Sequence, residues 1–312
     1  MNEFQTLVFL GLPGIGRISV KKILDKNLAV EDEENKESYL KIIAEISPNV
    51  RGKLKLEDVG RSMTTARQIL QDCENLGINA IGYCNDLYPS QLKDLDKTAP
   101  VLLYAMGNLS LLKNKKNVAI IGSRDISNEG LRAGKYITKQ FVEKGYVIVS
   151  GLAKGCDTVG HTVCLENGGQ TIAVLANGLD MVYPKENMDL AQRIVVSGCL
   201  ISEYPPKTSI SPNHFVERDR IQSGLSMGVV VIETGIKGGT MHTVKFGTEQ
   251  GRKIACIKYN DDVILPTNEG NRMLIKEKSV FALSSSNIDL YIESFNQNFN
   301  SVLKGVQGRL NV

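Results

Sequence analysis

From about residue 117 onward, short apolar runs alternate with helix-length amphipathic segments. The runs are NVAIIG, YVIVSG, TIAVLA, CLISEY, GVVVIET and KIACIKY, and the segments lie near residues 128–144, 156–168, 187–197, 213–227 and 239–251. Nearly continuous Val, Ile, Leu and Ala is typical of strands covered on both faces. Strict alternation of strand and helix predicts parallel strands joined by crossovers. We therefore predict an α/β fold with a doubly wound, mainly parallel sheet over residues 106–312.

The first part of the chain has a different pattern. Leu and Ile recur at helical spacing in ESYLKIIAEI and TTARQILQDCENLGI, so a small helical N-terminal domain is predicted over residues 1–105. Gly14 and Gly16 lie between two apolar helices in the segment Leu10 to Leu24, and a weaker version of this pattern occurs at 56–70. Such helix-hairpin-helix turns offer backbone N–H groups to DNA phosphates. The alternative is that they only reverse the chain.

Composition excludes several classes of protein. The formal net charge of the 312 residues is only +3, so a role in nucleic-acid binding must come from local clusters of charge. The six cysteines form no C-x-x-C pair, which indicates reduced thiols and a cytoplasmic protein. The three histidines lack zinc-ligand spacing, and the N-terminus resembles neither a signal peptide nor a membrane span. We expect no metal, no cofactor and no membrane contact.

Glycine and cationic residues follow the predicted strands. In sheets of this kind, ligands bind beyond the carboxyl ends of the strands. Glycine lets an anion approach backbone N–H groups, helix N-termini supply partial positive charge, and Arg or Lys neutralises the phosphate. Each glycine alone could be a tight turn, but the set predicts a phosphate site at one sheet edge. Its residues are Gly122, Ser123, Arg124, Gly151, Lys154, Gly155, Lys237, Gly238, Gly239 and Thr240.

Arg124 is predicted to neutralise a backbone phosphate that the N–H groups near Gly122 and Ser123 cradle. The alternative is a purely structural role, in which Arg124 braces its loop by pairing with an acid such as Asp125 or Glu129.

The segment HFVERDRIQSGLS adds further candidates. Arg218 and Arg220 lie two apart, with Glu217 and Asp219 beside them. We expect one arginine to be neutralised internally while the other faces the ligand, although a solvated, self-paired helix start would have the same sequence. Phe215 offers a stacking face for single-stranded nucleic acid, or alternatively anchors the helix in the core.

No catalytic set is visible. Asp157 and His161 are four apart and could form an acid–base pair, but capping of the helix is the favoured interpretation. Neither a G-x-G-x-x-G fingerprint nor a Walker A loop is present. We therefore predict that the chain is not an enzyme and has no catalytic residues.

Several motifs together resemble the DNA-processing protein A (Smf) family: VAIIGSRDIS, IVSGLAKGCDTVGHTVCLENGGQTIAVLANGLDMVYPKEN, GCLISEYPP, HFVERDRIQSGLS and VVVIET. The resemblance spans about residues 100–258. It implies a Rossmann-like single-stranded DNA-binding domain, commonly dimeric, that loads a RecA-type recombinase in natural transformation. The phosphate contacts that it implies are Gly122, Ser123, Arg124, Lys154, Arg218 and Arg220.

The chain departs from that pattern in four places. Asp219 replaces the Asn of Arg-Asn-Arg, and Val159-Gly160 replaces Ala-Ala before His161. Gly238-Gly239-Thr240 replaces Ser-Gly-Ser, and KYNDD replaces a Pro-Gly. These departures allow a diverged role on a mobile element or in defence.

Two alternative functions use the same fold. IETGIKGGTMHT also resembles the phosphate loop of nucleoside-monophosphate phosphoribohydrolases, but Thr243 stands where that family needs Glu. The other alternative is a nucleotide-binding sensor that signals to a partner protein.

Overall fold

The computed structural model describes residues 1–263, 265–277 and 280–296. The predicted sheet domain extends to residue 312, so its end lies outside the described residues. Within the described part, nine strands form one sheet. Their bounds are β1 Asn79–Gly82, β2 Leu102–Gly107, β3 Asn117–Ile121, β4 Val147–Ser150, β5 Thr171–Leu175, β6 Cys199–Ser202, β7 Gly228–Val231, β8 Lys253–Ile257 and β9 Phe281–Leu283.

The strand order is β1-β2-β6-β5-β4-β3-β7-β8-β9. The pairs from β6 through β9 are all parallel, whereas β2 pairs antiparallel with both β1 and β6. The chain moves from β3 outward to β6 and then returns to place β7 on the other side of β3. The gap between the ends of β3 and β7 is therefore the topological switch point, where doubly wound sheets bind ligands.

Helices follow the parallel strands as the alternating pattern predicts. Their bounds are α7 Asn128–Glu143, α8 Cys156–Glu166, α9 Met188–Ser197, α10 Pro212–Leu225, α11 Thr240–Glu249, α12 Glu269–Lys276 and α13 Ile288–Glu293. The predicted doubly wound, mainly parallel sheet is confirmed. The antiparallel strands β1 and β2 are additions that the sequence analysis did not foresee, since it described the region before residue 106 as mostly helical.

Both faces of the sheet are buried because alternate residues of each strand point to opposite sides. Ile120 of β3 packs in one cluster with Ile137 and Phe141 of α7. Ile121 belongs to a second cluster, with Val244 of α11. This double cover explains why the strands are continuously apolar rather than alternating.

The N-terminal helices pack against the β2 side of the sheet. Their bounds are α1 Glu3–Leu10, α2 Arg17–Asp25, α3 Lys36–Ile46, α4 Pro48–Arg51 and α5 Leu56–Asn75, followed by α6 Ser90–Lys93. A turn containing Gly14, with φ of 78°, separates α1 from α2 as expected. The second, weaker hairpin predicted at residues 56–70 is wrong. That segment lies inside the single helix α5, where Val59, Met63 and Ala66 form one buried face.

Candidate nucleic-acid interface

A pocket of about 370 Å³ lies at the switch point. Three strand ends contribute to its wall: residues 122–125 follow β3, Ala153 and Asp157 follow β4, and residues 234–235 and 238–240 follow β7. Helix α10 forms the remaining side. The sequence analysis predicted that residues beyond these strands would meet at one edge, and the structure places most of them around this one opening.

Arg124 and Phe215 stand together at the pocket mouth. The Arg124 side chain is exposed, and its Cζ lies 5.4 Å from the centroid of the Phe215 ring. Glu129, one of the acids that could have braced this arginine, instead pairs with Arg132 at 2.9 Å. Within the described part of the chain, Arg124 has no ion-pair partner, so its charge is available to a ligand.

Phe215 is half-buried and also contacts Tyr183, with ring centroids 5.9 Å apart. Tyr183 and Lys154 line a smaller adjoining cavity together with Arg124 and Phe215. The mouth of the pocket thus joins two aromatic rings to two cations. One of the two cations is already paired, because the Lys154 ammonium forms an exposed ion pair with Glu186.

Arg218 reaches the inner wall, and Gly151 makes room for it. A Cβ on Gly151 would overlap the Arg218 guanidinium, so only glycine fits there. Arg218 Nη1 donates to the carbonyl of Val174 at 3.1 Å. Gln222, with its amide oxygen turned toward Gly151, accepts from Gly151 N at 2.7 Å and from Arg218 Nη1. Arg218 is only 6 % exposed, and its Nε has no hydrogen-bond partner.

Two carboxylates lie beside this guanidinium. Asp157 accepts hydrogen bonds from the backbone N–H groups of Gly151 and Ala153 at 3.1 and 3.3 Å. Asp219 Oδ1 lies 3.4 Å from Arg218 Nε. Burial raises the pKa of Asp157, although the Arg218 charge and these hydrogen bonds oppose that rise.

Burial also raises the pKa of Asp219, to about 7, with the Arg218 charge acting in the opposite direction. The Asp157 charge adds to the rise, whereas a hydrogen bond from Thr243 and the Arg124 charge lower it. Asp219 therefore changes charge near neutral pH.

His161 has a structural role. Its Nδ1 lies 2.7 Å from Thr171 Oγ1. Burial and the nearby Arg218 charge lower the imidazole pKa to about 3. The ring is neutral at physiological pH, and Asp157 is occupied by backbone amides. These contacts fit the tethering of α8 to its neighbouring loops but not the capping of the helix, because Gly151 and Ala153 lie before α8 and α8 has no side-chain cap hydrogen bond.

The loop after β3 differs from its predicted form in one detail. The Ser123 N–H donates to the carbonyl of Glu233 at 2.7 Å, and Ser123 Oγ accepts from Asp125 N at 3.1 Å. The expectation that the Ser123 N–H cradles a phosphate is thus wrong, because Glu233 occupies it. Gly155, in the loop after β4, packs against the loop after β3. Its φ is 72°, and a Cβ there would collide with the carbonyls of Ser123 and Arg124. Glycine at 155 lets α8 begin against this loop.

The remaining candidates are divided between the pocket and the surface. Gly238, Gly239 and Thr240 line the pocket at the start of α11, whereas Lys237 is exposed and lies outside the lining. Within the described residues, the backbone N–H groups of Gly239 and Thr240 have no acceptor. The ten-residue helix α11 therefore presents unpaired donors and its positive end to the pocket.

Arg220 points away from the pocket although it was predicted to contact phosphate. Its Nη2 donates to both carboxylate oxygens of Glu203, at 2.8 and 2.6 Å, and its Nε donates to the carbonyl of Thr98 at 2.9 Å. Arg220 is 1 % exposed. Arg17 of α2 joins the same cluster, 3.3 Å from Glu203 and 3.1 Å from Glu217. The cluster connects α10 to the N-terminal helices behind the pocket.

Three residues at the site were not singled out from the sequence: Tyr183, Gln222 and Thr234. Gln222 could have been found, because it lies one helical turn after Arg218. Tyr183 precedes Pro184 in the segment NGLDMVYPKEN after β5, which carries no glycine–cation pattern at Tyr183. Thr234 lines the pocket directly after β7.

Among the described residues, no group of three or more His, Cys, Asp and Glu side chains could hold a metal ion. Within the same ranges, no helix is both long and apolar enough to span a membrane.

Comparison with known proteins gives consistent matches. The model of the family described as DNA recombination-mediator protein A matches residues 79–294. The chain is 39% identical over 204 residues to the DNA processing protein DprA of Streptococcus pneumoniae, covering 65% of this chain and 71% of that protein. The DprA of Bacillus subtilis is 37% identical over 61% of this chain, and the alignment spans 64% of that relative, just under two thirds.

Solved structures agree with these matches. The crystal structure of DNA processing protein A from Streptococcus pneumoniae superposes with a TM-score of 0.76 and 30% identity, covering 93% of this chain and 97% of that one. A structure of DNA processing protein A from Helicobacter pylori was described for its single-stranded DNA binding mode. It superposes with a TM-score of 0.59 and 25% sequence identity, covering 70% of this chain and 94% of that one. The family match covers more than half of the chain. The chain therefore belongs to the DNA recombination-mediator protein A family.

Proposed function

We propose that this chain binds single-stranded DNA at the switch-point pocket and acts as a recombination mediator. The observation that carries the proposal is the exposed Arg124 guanidinium, unpaired among the described residues and held over the Phe215 ring at the pocket mouth. A phosphate-binding cation next to a stacking surface is the combination that single-strand binding proteins use. The Helicobacter pylori relative, whose structure concerns single-stranded DNA binding, supports the same conclusion.

The start of α11 supplies a second phosphate contact. The N–H groups of Gly239 and Thr240 are without acceptors in the described part of the chain, and they line the same pocket as Arg124. A helix N-terminus and a guanidinium that line one opening can bind adjacent phosphates of a backbone. This binding needs no base identity. Lys154, Lys237 and Gly238 lie at or near the same opening and are retained as candidate contacts.

A single strand fits this site better than a duplex. To reach the Phe215 ring and the pocket behind it, a base must be unstacked from its neighbours. In a duplex this costs a few kcal/mol, whereas bases in a flexible single strand are already accessible. The proposed preference for single strands therefore follows from the need to unstack a base at the Phe215 ring.

We propose further that the protein has no enzymatic activity. Glu233, the acidic residue that directly precedes the loop of the phosphoribohydrolase alternative, is fully buried, and it accepts hydrogen bonds from the N–H and hydroxyl of Ser127 at the start of α7. Thr243 stands at the position where that alternative requires a glutamate. Asp157 and His161 are likewise engaged by backbone amides and by Thr171. Incubation with AMP should release no ribose phosphate.

The delivery of DNA to a RecA-type recombinase, and a homodimeric state, are proposals that rest on family membership. The division of labour between a helical N-terminal domain over residues 1–105 and a DNA-binding domain over residues 106–312 is a proposal as well. Light scattering at micromolar concentration tests the dimer, and a monomer would remove any account in which two DNA sites act together.

The experiment that tests DNA binding compares one oligonucleotide as a single strand and as a blunt duplex in the same salt. Fluorescence anisotropy should give a clearly tighter Kd for the single strand. Equal or tighter binding of the duplex would contradict the proposal. Binding of AMP or ADP-ribose without binding of the oligonucleotide would favour a nucleotide sensor instead.

A further inference from the structure

The inner part of the pocket carries more negative than positive side chains. Asp157, Arg218 and Asp219 are all at least nine-tenths buried on its wall, which gives two carboxylates against one guanidinium. Arg124, by contrast, is exposed at the mouth. Two carboxyl groups beside the Arg218 guanidinium offset its charge, so a phosphate is favoured at the mouth, beside Arg124, over the interior. The interior is therefore suited to an uncharged polar group, which on a DNA strand is a base.

Helix α10 presents the groups that a base needs. Phe215, Arg218, Asp219 and Gln222 all line the pocket, and their spacing of three and four residues places them on one face of the helix. The Phe215 ring at the mouth is thus followed along the helix, one turn later, by the Asp219 carboxylate and then by the Gln222 amide. A pocket of about 370 Å³ falls within the range that holds small ligands.

Asp219 has unused capacity to accept hydrogen bonds. Two carboxylate oxygens offer about four acceptor positions. Thr243 is a hydrogen-bonding neighbour that lowers the Asp219 pKa, and Arg218 Nε, at 3.4 Å, is too distant for a strong hydrogen bond. A buried acceptor of this kind favours a ligand that brings N–H donors.

We propose that Asp219 makes this pocket selective for bases that present N–H donors, with guanine preferred and thymine disfavoured. The N1–H and N2 amino groups of guanine form two parallel donors, which match the two oxygens of one carboxylate. The single amino groups of cytosine and adenine can make only one such bond. The carbonyl oxygens of thymine flank its only N–H and would face the carboxylate. This proposal rests on the binding of single-stranded DNA in the pocket.

The test uses oligothymidines of about 12 nucleotides, short enough for one binding site. One central base is left as thymine, or replaced by guanine or by hypoxanthine, which keeps N1–H but lacks the N2 amino group. The wild-type chain should bind the guanine strand about tenfold more tightly than the all-thymine strand, with hypoxanthine in between.

Asp219→Asn is the decisive variant, because an amide both donates and accepts and can pair with thymine. It should lose the preference for guanine and bind the all-thymine strand more tightly than the wild type does. Asp125→Asn is the matched control, since it removes a carboxylate from the exposed part of the same pocket. That variant should keep the preference.

Equal binding of the three strands by the wild-type chain would overturn the proposal and leave single-strand binding intact. A preference for guanine that survives in Asp219→Asn would also overturn it. Failure to bind any of the strands would instead refute the proposed function. Should Asp219→Asn fail to fold, the comparison of guanine with hypoxanthine on the wild-type chain still decides.

Discussion

The Arg124 guanidinium lies over the Phe215 ring, with 5.4 Å between Cζ and the ring centroid. The two residues come from different elements, the loop after β3 and helix α10, and they meet at the switch point. The cation–π contact orients an otherwise exposed side chain. A charge for phosphate and a surface for base stacking are therefore adjacent, which is the basis of the proposed mode of DNA binding.

Replacement of the ring should weaken DNA binding. Phe215→Leu keeps apolar bulk but removes the stacking face and the contact that orients Arg124. Stacking of one base contributes about 1–3 kcal/mol, so we expect roughly tenfold weaker binding of single strands in anisotropy titrations. Tyr136→Leu, at an exposed aromatic residue of α7, is the control and should bind normally. An unchanged Kd for Phe215→Leu would show that no base stacks there.

The cluster behind the pocket should control stability rather than phosphate binding. Glu203→Gln leaves the buried Arg220 guanidinium without its main partner, which at a buried pair costs on the order of 3 kcal/mol in the free energy of unfolding. Urea denaturation should detect this loss. Glu45→Gln, at an exposed pair with Lys26, should have no measurable effect. A Glu203→Gln protein as stable as the wild type would contradict this role of the cluster.

The affinity for oligothymidine should rise as the pH falls. Burial raises the pKa of Asp219 to about 7, so lowering the pH from about 8 to about 6 adds a proton and removes a negative charge from the pocket. Of the groups that act on Asp219, Thr243 does not titrate, whereas burial raises the pKa of Asp157 as well. Asp219→Asn should bind equally at both pH values. A pH dependence that persists in this variant would assign the titration to another group.

The sequence was sufficient to predict that residues beyond the strand ends meet around one opening, because parallel strands end at the same edge of the sheet. It could not distinguish Arg218 from Arg220. Both lie on α10, two residues apart, and their roles depend on which side of the helix meets the Gly151 turn and which meets Glu203. Nor could it show that the Ser123 N–H is occupied, since its acceptor is a carbonyl about a hundred residues away in the chain.

The most direct test of the account is the salt dependence of single-strand affinity for the wild type and for Arg124→Ala. A charge-assisted hydrogen bond contributes about 1.5–3 kcal/mol, so the variant should bind about ten- to a hundredfold more weakly. The loss of one phosphate contact should also make the slope of log affinity against log salt shallower by about 0.7. Arg132→Ala, at an exposed arginine of α7 that pairs with Glu129, is the control and should change neither quantity. If Arg124→Ala keeps both the affinity and the slope of the wild type, the assignment of this strand end to phosphate binding is contradicted.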